Sequence, residues 1–287
     1  MNESISHTIP KRAVLINDLT GFGRCSLAVA LPVVNAMKVQ ACPVPTSIFS
    51  NHMGFPSYYY KDLSGSLSPY LEGLSALGAA FDGIYCGFLN SAQQFEGVRH
   101  FLDVQKEKAS PIILIDPVLG DHGKTYRIVT KEHCHEMKQL CAYATILTPN
   151  LTEACILTDT PFPAQTPDEA FLHDIAQRLL SLGPKKVAIT GISHEGTLLN
   201  YCMEKKGKLS SFSYAVPSDG KAWPGTGDLF ASILMADALH DTPFENSVRK
   251  AADFIRLCVE DSQRLGAVSR EGVLFENHLS VLWRNLA

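Results

Sequence analysis

Long apolar runs are missing from this sequence. No segment approaches the roughly 18 uninterrupted apolar residues that a transmembrane helix needs. The opening stretch, MNESISHTIPKRAVLIN, also lacks the basic start, the apolar run and the small-residue cleavage site of a secretory signal. We therefore expect a cytoplasmic protein that does not associate with membranes.

The sequence is also short of positive charge and of paired cysteines. Its 25 Lys and Arg are outnumbered by 29 Asp and Glu, and no basic run stands out. This balance argues against nucleic acid as a partner. The eight cysteines include no CxxC pair, so in a cytoplasmic chain we expect reduced and mostly buried thiols.

What the sequence does contain is ample apolar material, 46% of its residues, in an alternating order. Short β-branched or apolar runs are separated by longer segments with helical periodicity. This order is typical of an α/β fold with a mainly parallel sheet covered by helices on both faces. The predicted strands are 13–17, 41–48, 83–88, 112–116, 144–148 and 186–191, and the predicted helices include 26–37, 93–108, 132–142 and 168–182.

The pattern changes in the last third of the chain. Residues 197–202 and 211–215 flank a Lys-Lys-Gly-Lys turn and predict an antiparallel hairpin. After Gly227 the chain is predicted to be helical almost to its end, with Phe230, Ile233 and Leu234 on one face. Because no repeat or long linker interrupts this order, we expect a single domain over residues 1–287.

The strongest chemical signal is the segment Pro-Gly-Thr-Gly-Asp-Leu-Phe at residues 224–230. Gly225 and Gly227 open a helix, where free N–H groups and the helix dipole form an anion site. With Thr226 between them, they suit a transferring phosphoryl group, and Asp228 is placed to accept a proton from an attacking hydroxyl. On local pattern alone, a tight turn before an ordinary helix fits equally well.

A second signal lies at Asp116 and Asp121. A buried apolar strand ends in the first carboxylate, and the second follows after a turn. Mg²⁺ prefers one or two carboxylates together with phosphate oxygens and water. We therefore favour a metal role over the alternative, which is an Asp-Pro turn with a solvated Asp121.

A third signal is the pair Asn150 and Glu153 in the segment Thr-Pro-Asn-Leu-Thr-Glu. If a helix starts near Pro149, both side chains share one face and can reach a phosphate or the water shell of a metal. The alternative is a capping arrangement at a helix start, which the local pattern alone favours.

The segment Gly123-Lys124-Thr125 resembles the end of a P-loop but does not complete that motif. Val118 stands where the P-loop needs a glycine, and no strand and long helix flank the segment. We therefore exclude a P-loop nucleotide site.

Taken together, these segments resemble the ribokinase-like superfamily, and most closely its vitamin kinase branch, the pyridoxal/pyridoxamine kinases. The resemblance spans almost the whole chain and rests on ordered blocks: INDLTGFG, SIFSNHMGF, GIYCGFL, DPVLGD, TPNLTEA, VAITG and PGTGDLFAS. It implies a three-layer fold with a central, mainly parallel sheet, usually in a homodimer.

The resemblance also implies roles for individual residues. Asp228 matches the general base, and Gly225, Thr226 and Gly227 match the anion hole. The carboxylates tied to Mg²⁺ and to the phosphates of ATP are Asp116, Asp121 and Glu153. Positions on the nucleotide side are Tyr126, Asn150, Thr190 and Gly191, and positions on the substrate side are Asp18, His52 and Phe88.

Two further implications concern a contact to ATP and a monovalent cation. Lys221 precedes the glycine turn and is a candidate contact to ATP, although a solvated loop lysine fits equally well. Several members of the superfamily use a monovalent cation such as K⁺, for which Thr148 and Thr190 lie in comparable places. His52, taken without the resemblance, also fits a solvated loop histidine.

The implied activity is ATP-dependent phosphorylation of the 5′-hydroxymethyl group of vitamin B6 vitamers. This sequence departs from typical pyridoxal kinases at Asn17-Asp18, where they have a Ser-His pair, and at Met53 in the His52 loop. Asp18 is closer to the hydroxymethylpyrimidine kinases, which are the main alternative. A sugar kinase is weaker, because the SNHMGF and GFL segments offer few polar groups. A non-catalytic vitamin-phosphate binder would have no need of Asp228.

Overall fold

The computed structural model describes residues 9–284, and within that range the chain forms eleven strands and nine α-helices. The strands are β1 (Arg12–Phe22), β2 (Gln40–Asn51), β3 (Tyr60–Asp62), β4 (Gly83–Cys86), β5 (Ile112–Ile115), β6 (Gly120–Asp121), β7 (Lys124–Thr125), β8 (Ile146–Leu147), β9 (Lys186–His194), β10 (Thr197–Lys206) and β11 (Lys208–Pro217). The helices are α1 (Leu27–Ala36), α2 (Ser64–Ala76), α3 (Ala92–Lys108), α4 (Lys131–Leu140), α5 (Leu151–Leu157), α6 (Glu169–Ser181), α7 (Thr226–Leu239), α8 (Phe244–Arg264) and α9 (Leu279–Arg284).

Nine of these strands form one sheet, in the order β11-β10-β9-β8-β5-β4-β1-β2-β3. Six of these strands are parallel to one another: β9, β8, β5, β4, β1 and β2. The strands at the two edges, β10 with β11 on one side and β3 on the other, are added in antiparallel fashion. The predicted α/β class, the parallel sheet and the hairpin of β10 and β11 are all confirmed. The continuity of this sheet supports the prediction of one domain, which remains a prediction.

Helices cover both faces of the sheet because consecutive strand residues point to opposite sides. In β1, Val14 and Ile16 pack into the cluster beneath α2 to α6. Ala13 and Leu15 pack into the cluster beneath α1, α7 and α8. The result is a three-layer arrangement, and the carboxyl ends of the parallel strands open toward one side.

Strand β1 extends beyond its predicted end at residue 17 and reaches Phe22. A shift in register against β2 between Asn17 and Leu19 shows where the regular strand is interrupted. The apolar run stops at Asn17, so the pattern of apolar residues did not show that the backbone continues to pair with β2. Asp18 consequently lies within an irregular strand and not in a loop after it.

Helix α7 is also more buried than its predicted single apolar face. Ala231, Ser232 and Met235 are buried as well as the predicted Phe230 and Ile233. The helix lies between the sheet and its neighbours α1 and α8, so nearly every side of it meets protein. This enclosure makes the start of α7 a fixed position in the fold.

Two further findings bear on the compositional expectations. Within residues 9–284, no helix combines the length and the apolar character needed to cross a bilayer. All eight cysteines are free thiols, and six of them are buried.

Candidate active site

The glycine turn before α7 closes against the loop that follows β1. Gly225 has a φ of 83°, in the left-handed region that favours glycine. A side chain at Gly225 would overlap the backbone carbonyl oxygen of Arg24. Only glycine therefore allows the turn to sit on this loop, and Gly227, in the first turn of α7, is exposed.

Asp228 lies in the first turn of α7 and is held by three hydrogen bonds from distant parts of the chain. Its Oδ1 accepts from Asn17 Nδ2 at 3.1 Å and from the Tyr85 hydroxyl at 3.2 Å. Its Oδ2 accepts from the backbone N–H of Ser26 at 2.8 Å. A carboxylate offers about four acceptor positions, so one position on Oδ2 has no partner among the described residues.

The pKa of Asp228 is raised from 3.8 to about 6. Burial of the carboxylate is the main cause, and the negative charge of Asp18 adds to it. The hydrogen bonds from Ser26, Tyr85 and Asn17 act in the opposite direction because they favour the ionised form. The side chain is thus ionised at neutral pH and is a stronger base than an ordinary aspartate.

Asp116 follows β5 and lies beside the glycine turn. Its Oδ2 is 3.9 Å from the position that a Cβ atom on Gly227 would occupy, and its Oδ1 accepts from the Thr148 hydroxyl at 3.3 Å. Burial and the nearby charges of Glu153 and Asp228 raise the pKa of Asp116 well above its usual range. The carboxyl groups of Asp116, Glu153 and Asp228 therefore lie close together around the turn, and their mutual repulsion favours protonation of Asp116.

Glu153 and Asn150 form the capping box that the local sequence pattern favours. Asn150 Oδ1 accepts from Glu153 N at 3.0 Å, and Glu153 Oε2 accepts from Asn150 N at 2.9 Å, at the start of α5. Glu153 Oε1 also accepts from Leu119 N, just before β6, and Asn150 Nδ2 donates to the carbonyl oxygen of Gly120, the first residue of β6. Burial raises the pKa of Glu153 to about 7.

The predicted metal set is only partly brought together. Asp121 lies on the β6–β7 hairpin, where its side chain is 49% exposed and its Oδ1 accepts from His122 N. Residues 9–284 contain no group of three His, Cys, Asp or Glu side chains arranged to hold a metal ion. Asp116 and Glu153, two buried and mutually repelling carboxylates, still fit a Mg²⁺ ion that takes most of its ligands from phosphate and water.

On the substrate side, Asp18 is buried and is held by two hydroxyl groups. Its Oδ1 accepts from Ser26 Oγ at 2.6 Å and its Oδ2 from Thr20 Oγ1 at 2.8 Å. Asn17 Oδ1 accepts from the backbone N–H of Phe88 at 2.9 Å, which ties the end of β4 to β1. Burial raises the pKa of Asp18.

The His52 loop is fastened to the C-terminal part of the chain. His52 Nε2 donates to the carbonyl oxygen of Arg270 at 2.7 Å, and its Nδ1 accepts from Gly54 N at 3.1 Å, in the tautomer that this pair of contacts requires. The ring of His52 packs on Phe55, with centroids 4.8 Å apart. Both ring nitrogens are thus engaged within the protein.

Two of the residues predicted to contact the nucleotide, Thr190 and Gly191, lie inside β9, which extends beyond its predicted end at residue 191 to His194. Thr190 N donates to Pro149 O at 2.9 Å, and Gly191 has a φ of 69°. Tyr126 follows the β6–β7 hairpin and is exposed, as is Lys221 in the loop before the glycine turn. Residues 123–125 belong to that hairpin and start no helix, which confirms that they are not a P-loop.

Comparison with known proteins shows the family. Residues 74–272 match the phosphomethylpyrimidine kinase family. The chain belongs to this family. It is 28% identical over 242 residues to the pyridoxal kinase of Arabidopsis thaliana. The matched residues cover 78% of this chain and 74% of the Arabidopsis protein. These findings confirm the predicted resemblance to the vitamin kinases.

Two further comparisons concern relatives that are associated with different ring systems. The hydroxymethylpyrimidine/phosphomethylpyrimidine kinase of Aquifex aeolicus is 29% identical over 192 residues, covering 64% of this chain and 69% of that protein. A Bacteroides thetaiotaomicron protein crystallised with pyridoxal is 31% identical, with a TM-score of 0.89 and 96% of each chain covered. This chain is thus similar both to pyridine and to pyrimidine vitamin kinases of the family.

Three residues of this phosphomethylpyrimidine kinase family member were not predicted as part of its site. They are Asn17, Ser26 and Tyr85, and each donates a hydrogen bond to Asp228. Tyr85 is fully buried in β4. A buried tyrosine hydroxyl needs a hydrogen-bond partner, and this requirement was the signal that could have identified Tyr85. Ser26 directly precedes α1 and was predicted only as the first residue of the helix 26–37.

Proposed function

We propose that this kinase transfers the γ-phosphoryl group of ATP to the 5′-hydroxymethyl group of vitamin B6 vitamers: pyridoxal, pyridoxamine and pyridoxine. The observation that carries the proposal is the setting of Asp228. Three donors hold its carboxylate at the start of α7, one position of Oδ2 stays open, and its pKa is about 6. A general base for a hydroxyl group needs these properties at neutral pH.

In this proposal Oδ2 of Asp228 accepts the proton of the hydroxymethyl group as its oxygen attacks the γ-phosphorus. The bond from the γ-phosphorus to the bridging oxygen breaks, and ADP leaves. The backbone of Gly225, Thr226 and Gly227 stabilises the negative charge of the transferred group from the helix N-terminus. Asn17 and Tyr85 keep Oδ1 occupied, so that Oδ2 faces the substrate.

We propose the remaining predicted residues as contacts to the nucleotide and its metal. Mg²⁺, when bound with ATP, neutralises charge on the phosphates. The carboxylates on that side are Asp116, Asp121 and Glu153, of which Asp116 lies beside the glycine turn. The other proposed nucleotide contacts are Tyr126, Asn150, Thr190, Gly191 and Lys221, and a K⁺ site near Thr148 and Thr190 belongs to the same proposal.

The choice of a pyridine ring is supported by two relatives. The Arabidopsis relative is a pyridoxal kinase, and the Bacteroides relative was crystallised with pyridoxal. Asp18, His52 and Phe88 are proposed to line the ring site. Hydroxymethylpyrimidine is the second candidate substrate, which Asp18 and the Aquifex relative favour. The protein is further proposed to be a cytoplasmic homodimer.

The test is ATP-dependent phosphorylation of pyridoxal, pyridoxamine, pyridoxine and hydroxymethylpyrimidine, measured side by side with Mg²⁺. We expect turnover of the pyridine vitamers and a loss of about 10²–10⁴-fold in kcat for Asp228→Asn, with ATP binding kept. Turnover of the pyrimidine alone would move the substrate to the second candidate. Absence of turnover with all four would overturn the proposal.

A matched control separates loss of the base from general damage. Asp168→Asn makes the same chemical change at the N-cap of α6, where, among the residues that the structure describes, the Asp168 side chain accepts only from Phe171 N. This variant is expected to keep wild-type turnover. If Asp168→Asn and Asp228→Asn lose activity equally, Asp228 is not the base.

A further inference from the structure

Ser26 precedes α1 but does not behave as a capping serine. Serine is a preferred N-cap because its side chain accepts a hydrogen bond from the first turn while its backbone is extended. Ser26 makes no such bond, and its φ of 54° and ψ of -136° lie far from that conformation. A positive φ strains any residue other than glycine. The position therefore gives up the normal advantage of a serine and adds strain.

The unusual backbone directs both donors of Ser26 to carboxylates of the site. Its N–H donates to Asp228 Oδ2 at 2.8 Å, and its hydroxyl donates to Asp18 Oδ1 at 2.6 Å. Ser26 is 8% exposed, so neither bond faces bulk water. Ser26 thus links the base and the substrate-side acid through two hydrogen bonds from a single residue.

The surrounding packing prevents Ser26 from relaxing. Arg24 N donates to Glu271 O at 3.0 Å, and the Arg24 side chain pairs with Glu276 at 2.7 Å. On the other side, a Cβ atom on Gly225 would come within 3.1 Å of Cys25 Cα. The loop is thus fixed between the C-terminal segment and the glycine turn.

We propose that Ser26 is a positioning residue that holds the base Asp228 and the substrate-side acid Asp18 in fixed positions relative to each other. This inference rests on the proposed function and adds to it a link between ring recognition and proton transfer. The hydroxyl of Ser26 orients Asp18 toward the ring. The backbone N–H, held by the constrained loop, orients Asp228 toward the hydroxymethyl group.

Two substitutions separate the two contacts. Ser26→Ala removes the hydroxyl and keeps a constrained backbone, so we expect KM for the vitamer to rise about tenfold while kcat stays within about threefold. Ser26→Gly removes the hydroxyl and frees the backbone, so kcat should also fall, by about tenfold. In an Asp18→Asn background, Ser26→Ala should no longer change KM, because the Asp18 carboxylate through which the Ser26 hydroxyl acts has been removed.

The stability of the same variants tests the inference without any substrate. In urea unfolding, both variants lose the hydroxyl but only glycine relieves the positive φ, so Ser26→Gly should be more stable than Ser26→Ala, by a wider margin than the same two substitutions show at Ser91. Ser91, the N-cap of α3, is the matched control: it has an extended backbone and accepts from Gln94 N. There the order should be serine, then glycine, then alanine, with turnover unchanged.

The outcomes separate this inference from the proposed function. Wild-type turnover with wild-type kinetics in both Ser26 variants overturns the inference and leaves the proposed function intact. A stability margin of glycine over alanine at Ser26 that is no wider than the margin at Ser91 overturns it as well. If the wild type turns over none of the vitamers, the proposed function fails and the positioning role fails with it.

Discussion

At the scale of single residues, the buried acids of the site oppose folding. The pKa of Asp228 is about 6 in the folded protein against 3.8 ordinarily, so between these values the folded state binds more protons than the unfolded state. Stability is therefore lost as pH rises through this interval, and the full cost applies above pH 6. At about 1.4 kcal/mol per pKa unit the cost is at most about 3 kcal/mol, because solvent that reaches the carboxylate screens it.

This cost predicts the pH dependence of an Asp228→Asn variant. An asparagine has no charge to bury, so the stability of the variant relative to the wild type should increase from pH 5 to pH 8. We expect an increase of about 1 kcal/mol, measured by urea unfolding at several pH values. A difference that does not change with pH would show that Asp228 is not held with a raised pKa.

The residues of the site divide by how far along the chain their partners lie. Gly225, Gly227 and Asp228 form a local pattern, so the sequence alone predicted an anion turn with a carboxylate. Tyr85 and Ser26 meet Asp228 across 143 and 202 positions. No local spacing carries that information, and only the folded sheet brings these donors together.

At the scale of elements, the glycine turn offers a test of close packing. Gly225 and Gly220 both have a positive φ, of 83° and 72°. A side chain at Gly225 would overlap Arg24, whereas no atom lies within 4 Å of one at Gly220. We expect Gly220→Ala to cost about 1–2 kcal/mol, from φ alone.

Gly225→Ala should cost more, about 3 kcal/mol or above, and should abolish turnover because the turn must leave the loop. Chemical unfolding of the two variants, with turnover measured in parallel, checks this pair. Equal costs at the two glycines would mean that the turn does not depend on its contact with Arg24.

Element boundaries followed the apolar pattern only where burial and pairing coincide. Helix α3 begins and ends within one residue of the prediction, since Ser91 caps it and its apolar face is regular. Strand β1 was predicted too short because the polar residues Asn17, Asp18 and Thr20 interrupt its apolar run, although its backbone goes on pairing with β2. Buried polar side chains break the hydrophobic pattern, and composition does not report the backbone hydrogen bonds that continue the strand.

At the scale of the whole molecule, alternating periodicity was enough for the α/β class but not for the order of strands. The first strand in sequence lies deep inside the sheet, between β2 and β4. The chain therefore adds β2 and β3 on one side of β1 and then β4 and the later strands on the other side, and the site lies near this change of side. Such switch points open a crevice at the strand ends, where Asn17, Asp116 and Asp228 meet.

The outer ends of β1 and β2 present apolar groups that bear on the proposed homodimer. Leu19 and Ile48 are directly opposite in the register of the two strands and are 38% and 39% exposed. Tyr59, nearby in sequence to β3, is 63% exposed. Adjacent exposed apolar side chains on a sheet are a common feature of protein interfaces.

A second copy of the chain is expected to cover Leu19 and Ile48. Light scattering on the wild type should give about twice the chain mass of 31.4 kDa, and Leu19→Lys combined with Ile48→Lys should give a monomer, because two lysines would bury charge at the contact. Leu77→Lys is the control, since Leu77 is 73% exposed at the end of α2 and should leave the dimer intact. A monomeric wild type would exclude the homodimer. A dimer that survives both lysines would place the interface elsewhere, because no contact could retain two charged side chains in its apolar centre without a large loss of affinity.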